Sequence, residues 1–161
     1  MRKLETEHAI EARRDEIAES IKVTMKALKD FFSLESSSVR GRLRSVGAEF
    51  GHIVARRITD SRSPEIILKE IEAFWNSHGL GEMEILEKDP YTFTVRNCYD
   101  CIAASGVETL CSFKEGFINA ILTDRTGGGI GDVTEIECCG TGAENCTFRA
   151  VPFQKVTSTT S

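Results

Sequence analysis

Hydrophobic positions divide the chain into a helical first half and a second half dominated by alternating patterns. Between about 9 and 32, apolar residues recur at steps of three, four or seven, which predicts a long helix with one narrow apolar stripe. The stripe consists of Ile10, Ile17, Ile21, Met25, Leu28 and Phe31 or Phe32, with Arg14 in one of the heptad positions. Such a stripe favours packing against a helix of a second subunit or, equally, against its own domain.

Two further helices are predicted before residue 80. The first covers Val39–Ile58 and carries Gly47 and Gly51, whose spacing of four is more typical of close helix packing than of a ligand site. The second begins at Pro64, a residue favoured in the first helical turn, and ends before Gly79, a typical helix terminator.

The pattern then changes to a period of two, which predicts strands. Strands are expected at 83–86, 91–95, 132–139 and 145–151, with a helix at 111–123, a glycine-rich turn at 127–131 and a polar tail at 154–161. The glycine-rich turn follows a helix and precedes a strand. Because phosphate-binding loops have the opposite order, nucleotide binding is not expected.

Composition narrows the functional classes. The chain has 161 residues with 20 Lys+Arg against 25 Asp+Glu, a net charge of −5, which argues for one domain and against non-specific nucleic-acid binding. No apolar run has the length of a membrane helix, and no secretory signal is visible. We therefore expect a cytoplasmic protein without a membrane partner. Six cysteines in a reducing compartment are more often metal ligands or redox groups than disulfides.

The cysteine spacing points to a metal. If the last hairpin is centred on Gly142, Cys138 and Cys146 face each other, with Cβ atoms about 4.5–5.5 Å apart. Two thiolates at that distance can share one tetrahedral Zn²⁺, and Cys111 at a helix start supplies a third. Spacing leaves the fourth ligand open among Glu135, Glu137, Cys139 and one of the pair Cys98–Cys101. Buried free thiols and a redox pair are the alternatives to a metal site.

Glu135 can be a ligand together with Cys138 only if the strand between them is irregular. It lies three residues before Cys138, so a regular strand would place the two side chains on opposite faces. Both can ligate one metal only if the strand bulges between them.

Three motifs resemble a known family. The first is a cysteine that opens a helix, Cys111, with a glycine five residues later; the second is the E-x-x-C of 135–138; the third is the C-x-F of 146–148. Together they resemble the 4-vinyl reductase domain, a hydrocarbon-binding or small-molecule-binding domain. The resemblance covers 39–153, with 1–38 as an N-terminal dimerisation helix and 154–161 as a flexible tail.

The resemblance implies both a fold and a ligand set. The fold is α+β, with helices packed on an antiparallel sheet, in the superfamily of haem–nitric-oxide sensors and Golgi transport-particle subunits, and it is usually a homodimer. In the aromatic-sensing activators of the family, three cysteines and a glutamate hold one structural zinc beside a pocket for a small apolar molecule. Carried over by position, the ligands are Cys111, Glu135, Cys138 and Cys146.

The expected function is therefore the binding and sensing of a small hydrophobic or aromatic molecule, with a possible protein partner in regulation. Candidate pocket residues are His52, Phe74, Trp75 and Phe117. The alternatives are a dimeric scaffold whose pocket is filled by its own side chains, a reductase accessory protein and a thiol-redox protein. Vinyl reductase activity is suggested by the family name alone, because no site for a redox cofactor is readable. Cys98, Cys101 and Cys139 receive no role from the resemblance.

Overall fold

The computed structural model describes residues 12–13, 15–24, 27, 39–98, 101 and 111–152. Residues 15–24 are helical. The elements that follow are α1 (Val39–Ile58), α2 (Pro64–Ser77), β1 (Glu82–Lys88), β2 (Tyr91–Arg96), α3 (Ser112–Thr126), β3 (Ile130–Glu137), a short 3₁₀ turn (Cys139–Thr141) and β4 (Cys146–Pro152). The helices and strands predicted from the hydrophobic pattern in this part of the chain are confirmed.

The four strands form one antiparallel sheet in the order β1-β2-β4-β3. Its two central strands, β2 and β4, place Phe93 opposite Phe148, and both side chains are completely buried. Their rings stack with centroids 5.3 Å apart. Aromatic cross-strand pairs of this kind stabilise a sheet and fix its register. The helices cover the sheet, which confirms the α+β class.

Close contact between α1 and α3 depends on three glycines. A Cβ atom added at Gly51 would lie 2.5 Å from the carbonyl oxygen of Phe117 and 2.7 Å from the Cβ of Ala120. Gly47 faces the backbone of Phe113, and Gly116 of α3 faces the backbone of α1, in each case with no room for a methyl group. The prediction that the glycines of α1 serve helix packing is confirmed.

The helical segment 15–24 packs on its own domain. Ala18 and Ile21 are each only 2% exposed and belong to the main hydrophobic cluster. The carboxylate of Asp15 lies 3.2 Å from Nε2 of His78, at the end of α2. Five other members of the predicted stripe (Ile10, Met25, Leu28, Phe31 and Phe32) and Arg14 lie outside the described residues, as do all of 28–38 and the tail 154–161.

A short connection between α2 and β1 is held by hydrogen bonds. Gly79 adopts φ +66° just after the helix, in the terminating position predicted for it. The side-chain amide of Asn76 then accepts a hydrogen bond from the Met83 amide at 2.7 Å and donates one to the Met83 carbonyl at 3.0 Å. This pair of bonds fixes the direction in which β1 begins.

β3 covers Ile130–Glu137, so both of its ends lie two residues before the predicted 132–139. It ends at Glu137 instead of 139, because Cys139–Thr141 turn into a 3₁₀ helix. Its register with β4 shifts between Glu135 and Glu137. The strand irregularity that the E-x-x-C motif requires is therefore present.

Candidate metal centre and buried aromatic group

The cysteines lie at the ends of several helices and strands, and these ends meet at one end of the sheet. Cys98 lies two residues after β2, and Cys111 directly precedes α3. Cys138 directly follows β3, and Cys146 begins β4. Because Val95 of β2 pairs with Cys146, the end of β2 adjoins the start of β4. All six cysteines are free thiols, and all six take part in sulfur–sulfur contacts.

Four of these cysteines form what we call the first sulfur group: Cys101, Cys111, Cys138 and Cys146. All four are buried, and their sulfur atoms lie within 4.8 Å of one another. The Cys101 sulfur lies 3.4 Å from that of Cys111, 3.6 Å from Cys138 and 3.5 Å from Cys146. With Zn–S bonds of about 2.3 Å, two sulfurs on one tetrahedral zinc are about 3.8 Å apart. The first sulfur group therefore has the donor type and the spacing of a four-coordinate metal site.

The last strand pair explains the meeting of Cys138 and Cys146. Glu137 pairs with Thr147, so the next residues toward the turn are these two cysteines. This is the register predicted from a turn centred on Gly142, which adopts φ +104°. Three of the four ligands implied by the family resemblance are thus brought together.

Glu135 lies beside the first sulfur group and is not one of its members. Its carboxyl group contacts the thiols of Cys111 and Cys138, and burial raises its pKa to about 8. One of its oxygens, Oε1, is buried without a hydrogen-bond partner. In the first sulfur group the fourth donor is Cys101, and the carboxyl group of Glu135 contacts two of the four sulfurs.

A second sulfur group, Cys98, Cys101, Cys139 and Cys146, shares two members with the first. Its sulfurs also lie within 4.8 Å of one another. The Cys139 sulfur is 3.3 Å from that of Cys146, and the Cys139 amide donates to the Cys146 sulfur at 3.4 Å. The three cysteines that the resemblance left without a role are therefore all part of the centre.

A buried lysine adjoins the centre. Lys114 is 0% exposed, and its Nζ lies 2.9 Å from the Cys98 sulfur and 5.8 Å from the centre of the Trp75 ring. Hydrogen bonds from the Cys101 and Cys111 thiols, together with this ammonium group, lower the pKa of Cys98. Hydrogen bonds with the Cys101 and Cys138 thiols, and with those of Cys146 and Cys98, raise the pKa of Cys111. The sulfurs cannot all ionise at this distance unless cations neutralise them.

A buried carboxylate connects the centre to the helices. Glu115 is 0% exposed and accepts hydrogen bonds from Arg44 at 3.2 Å and Arg40 at 3.5 Å. It also accepts a bond of 2.6 Å from the backbone amide of Glu135 at the bulge of β3. Arg44 forms a second ion pair with Asp132 of β3. This network fixes α1, α3 and β3 relative to one another next to the sulfurs.

Three of the four candidate pocket residues form one buried aromatic group. Phe117 lies at the centre, with its ring centroid 5.5 Å from that of Trp75 and 6.5 Å from that of Phe74. None of the three is more than 3% exposed. His52 lies outside this group: its side chain is half exposed, and its Nδ1 is 2.8 Å from a carboxylate oxygen of Asp124.

The described residues also form an open cavity of about 380 Å³ between the segment 15–24 and α1. Its apolar wall contains Ile17, Phe50 and Ile53, and two guanidinium groups, Arg13 and Arg57, lie at its edge. None of the four candidate pocket residues lines this groove.

Sequence reasoning missed Lys114 and Glu115 as site residues. Both follow Cys111 in a helix whose other residues are mostly apolar, and a charged pair in such a place was a usable signal. Cys98 and Cys101 had a clearer signal, their C-x-x-C spacing, and they were among the residues left open for the fourth ligand.

No family model and no curated protein matches the sequence. Solved structures share its fold. A vinyl-4-reductase family protein from Methanocaldococcus jannaschii superposes with a TM-score of 0.55 at 20% identity, over 82% of this chain and 78% of that chain. The phenol-responsive sensory domain of the transcription activator PoxR, solved with phenol, gives 0.56 at 17% identity, over 84% and 74%.

A trafficking protein particle complex subunit 3 from Naegleria fowleri, covalently bound to palmitic acid, gives a TM-score of 0.56 at 11% identity, over 85% of this chain and 95% of that chain. These likenesses confirm the fold expected from the cysteine motifs. Among the described helices, none is long and apolar enough to cross a bilayer.

Proposed function

We propose that this chain is a cytoplasmic small-molecule-binding and sensing domain, stabilised by a structural zinc and binding a small hydrophobic or aromatic molecule. The observation that carries the proposal is the position of a buried aromatic group beside a buried cysteine centre. Lys114 links the two, because it contacts both Cys98 and the Trp75 ring. The free state of all six cysteines fits a reducing compartment.

The metal part of the proposal rests on the chemistry of the donors. Buried thiolates at tetrahedral spacing favour zinc, and a site with four protein ligands has no open position for catalysis. Cys111, Cys138 and Cys146 are common to the resemblance and to the first sulfur group. We assign the fourth position to Cys101 and a supporting contact to Glu135, because the Cys101 sulfur is within 3.6 Å of the other three.

The fourth ligand can be tested with two matched variants. Zinc per chain is measured by native mass spectrometry for Cys101→Ser and for Glu135→Gln. We expect Cys101→Ser to lower zinc affinity by at least tenfold and Glu135→Gln to change it less. The reverse order would restore Glu135 as the ligand. Metal-free protein that folds normally would remove the zinc from the proposal.

The ligand part is supported by the shared fold, since one protein with this fold was solved with phenol and another with covalently bound palmitic acid. A ligand beside Phe117 would replace contacts that the aromatic group now makes with itself. Trp75 is the only tryptophan in the chain and contacts Phe117, so its fluorescence reports directly on that position.

The test combines organic extracts of the purified protein with thermal shift and Trp75 fluorescence, using phenol and palmitic acid as probes. We expect saturable changes in both signals, weakened by Phe74→Leu. Ile53→Gln is the matched control, because Ile53 is 58% exposed and lines the groove between the segment 15–24 and α1. A response lost with Ile53→Gln and kept with Phe74→Leu would move the ligand to that groove. An empty extract with no response to either probe would overturn ligand binding.

The second candidate is a dimeric scaffold with a filled pocket. It is favoured by one observation, the mutual ring contacts of Phe74, Trp75 and Phe117, which leave the aromatic group tightly packed. Val23, 61% exposed on the segment 15–24, is an apolar position available to a second subunit. Sedimentation of the parent and of Val23→Glu separates the cases: a dimer that the substitution dissociates would support the scaffold.

A further inference from the structure

Six sulfur atoms at one site are more than a single tetrahedral metal ion can bind. Zinc in a structural site takes four ligands, so a single ion in the first sulfur group leaves Cys98 and Cys139 without a metal. Cys98 is completely buried, and Cys139 is half-buried with its sulfur 3.3 Å from that of Cys146. Both contact the sulfurs of the first group directly.

The two sulfur groups overlap in a specific way. They have Cys101 and Cys146 in common, and each group adds two cysteines of its own. The shared sulfurs are 3.5 Å apart, close to the separation of two ligands on one zinc. Two tetrahedra that share an edge have this connectivity: two bridging thiolates, with two terminal thiolates on each metal. Every cysteine of the chain has a place in such an arrangement.

We propose that the centre binds two divalent thiophilic ions, with Cys101 and Cys146 bridging them. One ion binds Cys111 and Cys138 as its terminal ligands, and the other binds Cys98 and Cys139. The proposal rests on the proposed function, because the first ion is the structural zinc already assigned.

The charges nearby fit a loaded centre. Two divalent ions and six thiolates carry a net charge of −2, and the ammonium group of Lys114 reduces it to −1. This ammonium is completely buried and lies 2.9 Å from Cys98, a terminal ligand of the second ion. The backbone amide of Cys139 donates to the Cys146 sulfur and stabilises the negative charge on a bridging thiolate.

Metal stoichiometry tests the proposal directly. The full chain is loaded with excess Zn²⁺, desalted and weighed by native mass spectrometry, and metal-free chain is titrated with Co²⁺ while thiolate charge-transfer absorption is followed. We expect two ions per chain and an absorption endpoint at two equivalents. One ion per chain would overturn the two-metal centre and leave the structural zinc intact, whereas no ion would overturn both.

The Cys139→Ser variant distinguishes loss of the second ion from unfolding of the chain. It removes a half-buried terminal ligand, and we expect the count to fall from two to one while the chain stays folded. Ala143→Ser is the control, since it places the same side chain in the same turn and removes no sulfur; it should keep two ions. Two ions bound by Cys139→Ser would overturn the assignment of Cys139, and a matching Cys98→Ser measurement tests the other terminal ligand.

Discussion

The contact between α1 and α3 gives a prediction whose size follows from measured distances. An alanine methyl at Gly51 would lie 2.5 Å from the Phe117 carbonyl oxygen and 2.7 Å from the Ala120 Cβ. Carbon atoms in contact are separated by about 3.5–4.0 Å, so the helices must move apart by about 1 Å. Overpacking of this kind costs about 1–3 kcal/mol. We expect Gly51→Ala at the upper end of that range, because one of the clashing atoms is a backbone carbonyl oxygen, which cannot change rotamer to make room.

Gly41 provides the matched control on the same helix. It is exposed, and an added Cβ would meet nothing within 4 Å. Replacing a helical glycine by alanine stabilises by about 1 kcal/mol through propensity, and this gain is common to both variants. The difference between Gly51→Ala and Gly41→Ala therefore isolates the steric cost, which we expect to be about 3 kcal/mol.

The assay is thermal unfolding by circular dichroism at a fixed zinc concentration. For a chain of this size about 1 kcal/mol shifts Tm by about 2–4 °C, so the two variants should differ by about 6–12 °C. Gly41→Ala should melt at or slightly above the parent, and Gly51→Ala well below it. Equal melting temperatures would show that the two helices do not pack backbone against backbone.

Two further perturbations test the contacts around the site. Arg44→Met removes the stronger partner of the buried Glu115 and should cost about 2 kcal/mol in urea unfolding, whereas Arg40→Met, with its half-exposed side chain, should cost less than about 1 kcal/mol. Equal losses would contradict the assigned network. Asn76→Ala should cost about 1–2 kcal/mol, because it removes both hydrogen bonds to the Met83 backbone, and the exposed Ser77→Ala should be near neutral. No difference between these two would show that the start of β1 does not depend on Asn76.

The elements were predictable because their signals are local. Pro64 at the start of α2, Gly79 just after its end and the change to a period of two after residue 80 each act within a few residues. The bulge at Glu135 was also within reach, because the E-x-x-C motif and strand geometry conflict unless the strand is irregular. These features depend on neighbours along the chain.

The fourth sulfur of the first group was not predictable in the same way. Cys101 reaches Cys111, Cys138 and Cys146 through tertiary folding, and no spacing rule ranks it above Glu135. The family resemblance favoured Glu135, which the structure places in contact with two of the sulfurs. Lys114 and Glu115 were missed because helical periodicity predicts a buried face and gives no reason for charged residues on it.

The most direct test of the central claim is the zinc content and the melting temperature of one sample, measured before and after chelation. Structural zinc binding contributes folding free energy, and a ligand at 1,000 times its Kd adds about 4 kcal/mol, or about 8–16 °C in Tm at this size. We predict that the purified chain contains zinc, and that removing it lowers Tm by at least this range and restoring it reverses the change. A chain that loses its zinc and melts at the same temperature would contradict a metal-stabilised domain.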